Sequence, residues 1–191
     1  MKRKSSSCVT TICLVLLVLL VTANPECQAQ DSAAVVGIFE GHGDVGTVLH
    51  AGASQYDAAA QSYTLTGSGE NMWFNSDDFQ FAWKKLSGDV ALTAEISFPA
   101  KGGNAHRKAV LMLRQTLDAD SVYADVALHG DGLTSLQYRD AKGGATHEIQ
   151  SNISGPAQWR IERRGGYVCM WMDAPGDKCQ PAGDARRGAS R

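Results

Sequence analysis

The chain has 191 residues, with 18 Lys and Arg against 20 Asp and Glu, which gives a formal net charge of −2. This length fits one domain of ordinary size behind a short leader. A mildly acidic balance without a dense basic run excludes nucleic acid as a partner, because nucleic-acid binding needs a strongly positive surface.

The first segment, residues 1–29, has the three parts of a secretory signal. It begins with the basic residues KRK at 2–4, continues with the apolar run TTICLVLLVLLVTA and ends with CQA at 27–29. That apolar run is shorter than the roughly 20 residues that cross a bilayer. We therefore predict cleavage after Ala29 and a secreted or periplasmic protein without stable membrane insertion. A retained N-terminal membrane anchor is the alternative.

A short linker at 30–34 leads into residues 35–173, where apolar and polar residues alternate with a period of two. This period is typical of strands with one buried face. The pattern predicts strands in FQFAW (79–83), DVALTAEISF (89–98), SVYADVAL (121–128), QWRIERR (158–164) and YVCMWM (167–172). Glycine-containing turns separate them, so the sequence predicts an antiparallel β-sandwich or barrel. We expect Phe79, Phe81, Trp83 and Trp159 in the core.

The last segment, residues 174–191, is polar and lacks alternation, and we predict that it is disordered. After signal cleavage only Cys169 and Cys179 remain of the five cysteines. Export would permit a disulfide between them, and two unrelated thiols are the alternative. Two cysteines are too few for a structural zinc site.

No catalytic set emerges from the spacing of the acidic residues. A retaining glycosidase needs two carboxylates on one strand face, about 5–5.5 Å apart, and no such pair is present. Convergence of Glu70, Asp77, Glu95 and Asp125 in one cleft would favour a hydrolase or lyase instead. We predict no metal and no cofactor. Calcium is the alternative, with Asp118, Asp120 and Asp131 as ligands, although they lie at opposite ends of one predicted strand.

A non-catalytic carbohydrate site needs less, because aromatic rings stack on sugars while planar polar groups orient the hydroxyls. Residues of these types occur along the alternating segments. The candidate ligand-binding residues are Trp73, Asp77, Arg114, Tyr123, His129 and Arg139, and Tyr138 and Trp171 are of the same type.

Four segments in order, GSGENMWFNSDDFQF, WKKLSGDVALTAEI, RKAVLMLR and WRIERRG, resemble a concanavalin A-like (lectin/glucanase-fold) domain of unknown function. They are similar to the N-terminal module of bacterial Tol-type proteins, in which a TolB-like propeller follows. The resemblance implies an antiparallel two-sheet jelly-roll sandwich over 35–173 and no catalytic residues. Such domains continue with further strands, so this chain is expected to lack its C-terminal closing strands.

Together these features predict an exported, non-catalytic β-sandwich module that binds a glycan or an envelope protein. One alternative is a divergent glycoside hydrolase or lyase of concanavalin A-like fold. Another is a truncated structural remnant of a Tol/propeller-type protein. A shared fold does not choose among these functions.

Overall fold

The structure is a computed structural model that describes residues 35–154 and 158–172, together with the backbone of 180–186. The regular elements in this part of the chain are strands, and it contains no helix. They are β1 (Gly41–Val45), β2 (Ala53–Asp57), β3 (Ser62–Thr66), β4 (Met72–Trp73), β5 (Ser76–Asp77), β6 (Phe79–Trp83), β7 (Val90–Ala94), β8 (Lys108–Arg114), β9 (Tyr123–His129), β10 (Thr134–Arg139), β11 (His147–Gln150), β12 (Trp159–Arg164), β13 (Tyr167–Met172) and β14 (Gln180–Arg186). The all-β prediction is confirmed, and the predicted signal and linker lie outside the described residues.

Two four-stranded antiparallel sheets pack face to face, as in a β-sandwich. The front sheet has the order β11-β10-β9-β8, and the back sheet has the order β14-β13-β12-β7. Val126 and Leu136 of the front sheet meet Trp159, Ile161 and Met170 of the back sheet in the main core. All five are fully buried, so this interface supplies the main hydrophobic stabilisation of the fold.

The predicted strand phases agree with this core. Because successive side chains of a strand point to opposite faces, Ala124, Val126 and Leu128 of β9 enter the core together. Of the two tryptophans expected there, Trp159 is fully buried. Trp83 is only half-buried and lies outside both core clusters, with the Lys85 ammonium over its ring.

Smaller strand pairs cover the other face of the front sheet. They are β1 with β6 and the hairpin β4–β5, while the hairpin β2–β3 contacts β1 and β6. Val45, Met72 and Phe79 from these pairs pack on Met112 and Tyr123 of the front sheet. As a result β9 is buried on both faces, whereas the sequence predicts burial of one face only.

The C-terminal segment differs from the prediction of disorder over 174–191, because residues 180–186 form β14 at the edge of the back sheet. β14 pairs with β13 through the backbone, which does not require apolar side chains. The register shifts opposite Met170 and Trp171, next to Pro181. Proline has no N–H for the ladder and is tolerated at sheet edges and bulges.

Candidate functional site

Six polar side chains line the face of the front sheet that points away from the main core. We call this set the polar row, and it consists of Lys108, Asp125, His129, Ser135, Gln137 and Glu148. Strand register assembles it from four strands. Gln137 lies opposite Asp125 on one side and Glu148 on the other, and Lys108 lies opposite His129.

Gln137 is the centre of the hydrogen bonds in this row. Its side-chain Nε2 lies 3.0 Å from Glu148 Oε1, 3.2 Å from His129 Nε2 and 3.3 Å from Ser135 Oγ. When the amide donates to His129 Nε2, the imidazole proton must sit on Nδ1. That Nδ1 and the Gln137 Oε1 are both buried, and neither has a hydrogen-bond partner among the described residues.

Asp125 is the most unusual member of the row. Its side chain is fully buried, and neither carboxylate oxygen has a hydrogen-bond partner in the described part of the chain. Burial raises the pKa of Asp125 well above its usual range, although the Lys108 charge opposes the shift. The backbone N–H of Gln137 also opposes it, from an approach too loose to count as a hydrogen bond. The neutral acid is therefore favoured in the folded protein.

Lys108 joins the polar row to the segment that contains β4. Its Nζ donates to Asn71 Oδ1 at 2.9 Å and to the Met72 carbonyl at 3.1 Å, and it lies 4.9 Å from the centre of the Trp73 ring. Burial lowers the pKa of Lys108, while the charges of Asp125 and Glu148 act to raise it. Trp73 thus stands at the border of the row.

The two remaining titratable groups of the row, His129 and Glu148, both have lowered pKa values, but the physical causes differ. Burial, followed by the Lys108 charge, lowers the pKa of His129, so the neutral imidazole predominates at neutral pH. Burial acts to raise the pKa of Glu148, but hydrogen bonds from Gln150, Gln137 and Ser135 outweigh it, and the net shift is downward. Asp125 and Glu148 are therefore two carboxyl groups pushed in opposite directions on one sheet face.

A buried ion network lies at the other end of the same face. We use this name for Asp77, Arg114, Tyr123 and Arg139. Arg139 binds Asp77 through both terminal nitrogens, at 2.8 and 2.9 Å. Arg114 Nη1 lies 3.4 Å from the same carboxylate, and the Arg139 guanidinium stacks 5.0 Å from the centre of the Tyr123 ring. Because these charged side chains are buried and paired with one another, the ion network stabilises the fold and does not present exposed groups to a ligand.

The structure thus brings together four of the six candidate ligand-binding residues, Asp77, Arg114, Tyr123 and Arg139, in the ion network. Arg114, Tyr123 and Arg139 also border a cavity of about 500 Å³ at the end of the main core. The other two candidates, His129 and Trp73, lie in the polar row and at its border. Trp171 is on the back sheet, and Tyr138 packs against the main core.

Sequence reasoning did not select Lys108, Ser135, Gln137 or Glu148. The alternation in SVYADVAL does place Asp125 and Ala127 on one face of β9. That signal was available, but it carries no information about whether the second face is covered. Among the four acids singled out for convergence, Glu70 and Glu95 are exposed and Asp77 is paired with two arginines. The Asp125 carboxylate has no hydrogen-bond partner among the residues that the structure describes.

The residues considered for calcium have other partners. Lys142 lies 2.7 Å from the Asp118 carboxylate and 3.5 Å from that of Asp120, while Asp131 follows β9 at its far end. The described residues contain no group of three or more His, Cys, Asp or Glu that could hold a metal ion. Cys169 lies on β13, and the predicted disulfide stays a prediction because Cys179 is outside the described residues.

Comparison with protein-family models, curated proteins and solved structures found no match to this chain. The resemblance to concanavalin A-like and Tol-type modules therefore stays a prediction. Within the described residues, none of the elements is a helix that could span a bilayer.

Proposed function

We propose that this chain is an exported, non-catalytic β-sandwich module of concanavalin A-like type that binds carbohydrate at the cell envelope. One observation carries the proposal. The floor of the polar row contains buried acceptors on Asp125 and Gln137, and a buried ring nitrogen on His129, that have no hydrogen-bond partner among the described residues. Buried polar groups are nearly always hydrogen-bonded, so each exception calls for an explanation.

Carbohydrate is the ligand class that this mixture of groups favours. A sugar hydroxyl both donates and accepts, and the row offers an ammonium, two carboxyl groups, an amide and an imidazole within one sheet face. The Trp73 ring at the border adds an apolar surface of the kind that packs on a sugar.

A glycan array with the secreted chain, followed by isothermal titration calorimetry, tests this proposal. We expect wild-type protein to bind at least one oligosaccharide class. Gln137→Met keeps the side-chain volume but removes the hydrogen bonds, and should weaken binding roughly tenfold, as loss of about 1.4 kcal/mol would do. The matched control is Gln158→Met, at an exposed position outside the row. A wild-type protein that binds no glycan, or binds only a protein, would contradict the proposal.

A second candidate, glycoside hydrolysis, is favoured by the opposite pKa shifts of Asp125 and Glu148, a pattern typical of acid–base pairs. Two strand spacings separate their backbones, about 9.5 Å, and inverting glycosidases hold their carboxyl groups roughly 6.5–9.5 Å apart. In such a reaction Asp125 would protonate the leaving oxygen as the C–O bond breaks. Glu148 would take a proton from the attacking water.

Release of reducing ends from any glycan that binds decides between the two functions. Hydrolysis predicts release by wild-type protein and none by Glu148→Gln. If the protein is a binding module, neither the wild-type protein nor Glu148→Gln releases reducing ends, and glycan binding is retained.

A further inference from the structure

The turn between β4 and β5 presents an aromatic side chain to solvent on an unfavourable backbone. Phe74 has a φ of 51°, in the left-handed region that non-glycine residues rarely adopt. Its side chain is 73% exposed and belongs to neither core cluster. For the hairpin alone, glycine would suit this position better, since it has no side chain to clash there.

Buried groups hold this turn in place from below. Arg139 Nη2 donates to the Phe74 carbonyl at 3.2 Å and approaches the Trp73 carbonyl at 3.5 Å. The Thr146 hydroxyl, just before β11, donates to the Phe74 carbonyl at 3.0 Å. Arg139 is itself fixed by Asp77 within the ion network. The exposed ring therefore stands on a rigid base.

The position of the turn connects it to the polar row. The Trp73 ring lies beside Lys108, which opens β8, and Phe74 is bonded to Thr146 next to β11. The β4–β5 hairpin thus runs from the Lys108 side of the row toward the β11 side. The exposed Phe74 ring therefore belongs to a hairpin whose backbone contacts Arg139, at the ion-network end of the face that also carries Asp125 and Gln137.

We propose that Phe74 is a stacking platform for a pyranose ring of the bound glycan. Strained backbone that the surroundings hold in place is a mark of functional sites, and an exposed phenyl ring offers a flat apolar surface. The sugar that fits is one with equatorial hydroxyls, because its axial C–H bonds leave an apolar face to lie on the ring. This inference rests on the proposed carbohydrate-binding function and names the sugar class for that site.

Three variants of the secreted chain test the inference, with a β-1,4-linked glucose hexamer as the probe in calorimetry. Phe74→Gly removes the ring and relieves the backbone, so the thermal midpoint should stay level or rise while binding weakens roughly tenfold. Phe74→Trp restores an aromatic face and should bind within about threefold of wild type. Leu49→Ala, at an apolar residue that is 89% exposed, is the control and should bind as wild type does.

Each outcome separates this inference from the function on which it rests. If wild type binds glycans on the array but Phe74→Gly binds equally well, the stacking role is wrong and the carbohydrate function stands. The stacking role is also wrong if Phe74→Gly lowers the thermal midpoint, since the ring would then support packing. Binding only of mannose-type oligomers, which carry an axial hydroxyl, overturns the sugar class. Absence of all glycan binding overturns both.

Discussion

Both faces of the front sheet are buried, but the side chains on the two faces differ in how well their neighbours replace the lost contact with water. On the core face, Val126 and Leu136 are covered by apolar side chains of the back sheet. On the other face, Asp125 and Gln137 lie one residue away along the same strands, and their side-chain acceptors have no hydrogen-bond partner in the described part of the chain. The core face is saturated by packing, whereas the second face keeps buried polar groups that form no hydrogen bond with the described residues.

The second face is itself divided, because its ion network is fully paired while the polar row is not. We expect Asp77→Ala to have the largest effect, lowering the free energy of unfolding by about 3–5 kcal/mol, since it leaves Arg139 buried without its counter-charge. Urea denaturation measures this change. The exposed pair of Asp118 with Lys142 is the control, and Asp118→Ala should leave the urea midpoint unchanged. Equal changes in the urea midpoint for Asp77→Ala and Asp118→Ala would show that the buried ion network stabilises the fold no more than an exposed ion pair does.

Neighbouring residues on β10 compare the two faces directly. Leu136→Ala should lower the free energy of unfolding by about 2–5 kcal/mol, because it opens a cavity in the main core. Ser135→Ala should cost about 0.5–1.5 kcal/mol, the usual net value of a hydrogen bond. Both residues are fully buried, so burial alone does not explain the expected difference. A Ser135→Ala cost that matched that of Leu136→Ala would mean that the polar face is packed as tightly as the core.

The third prediction concerns the dependence of stability on pH. The pKa of Asp125 is raised in the folded protein above the unfolded value near 3.8. The group therefore favours the folded state most below the unfolded pKa, and this contribution is lost as pH rises toward the folded pKa. Asp125→Asn removes the titration and should raise the free energy of unfolding at pH 7 by about 1–3 kcal/mol relative to wild type.

Thermal or urea unfolding of wild type and Asp125→Asn from pH 3 to 8 measures this dependence. The difference between the two proteins isolates Asp125 from the other carboxylates. The exposed Asp140→Asn carries the same change of charge and serves as the control. A difference between wild type and Asp125→Asn that does not vary with pH would show that Asp125 is not desolvated in the folded protein.

Period-two alternation reports which residues share a face, and it predicted five of the strands, β6, β7, β9, β12 and β13, together with the burial of Trp159 in the main core. It did not predict the polar row, because alternation is silent about whether a second face is covered. The covering strands β1 and β4–β6 come from a distant part of the chain. The Asp77–Arg139 pair spans 62 residues, which no local pattern can reveal. β14 was missed because edge pairing uses backbone groups and leaves no apolar period.

Arg139 also has a consequence for motion. Besides Asp77, its guanidinium donates to the backbone carbonyls of Phe74, Ser121 and Gly144, which belong to three loops far apart in sequence. One side chain thus closes three loops at once. The amide hydrogens of these loops should exchange with solvent as a single cooperative unit with one opening free energy. We therefore expect the three loops to open together rather than independently.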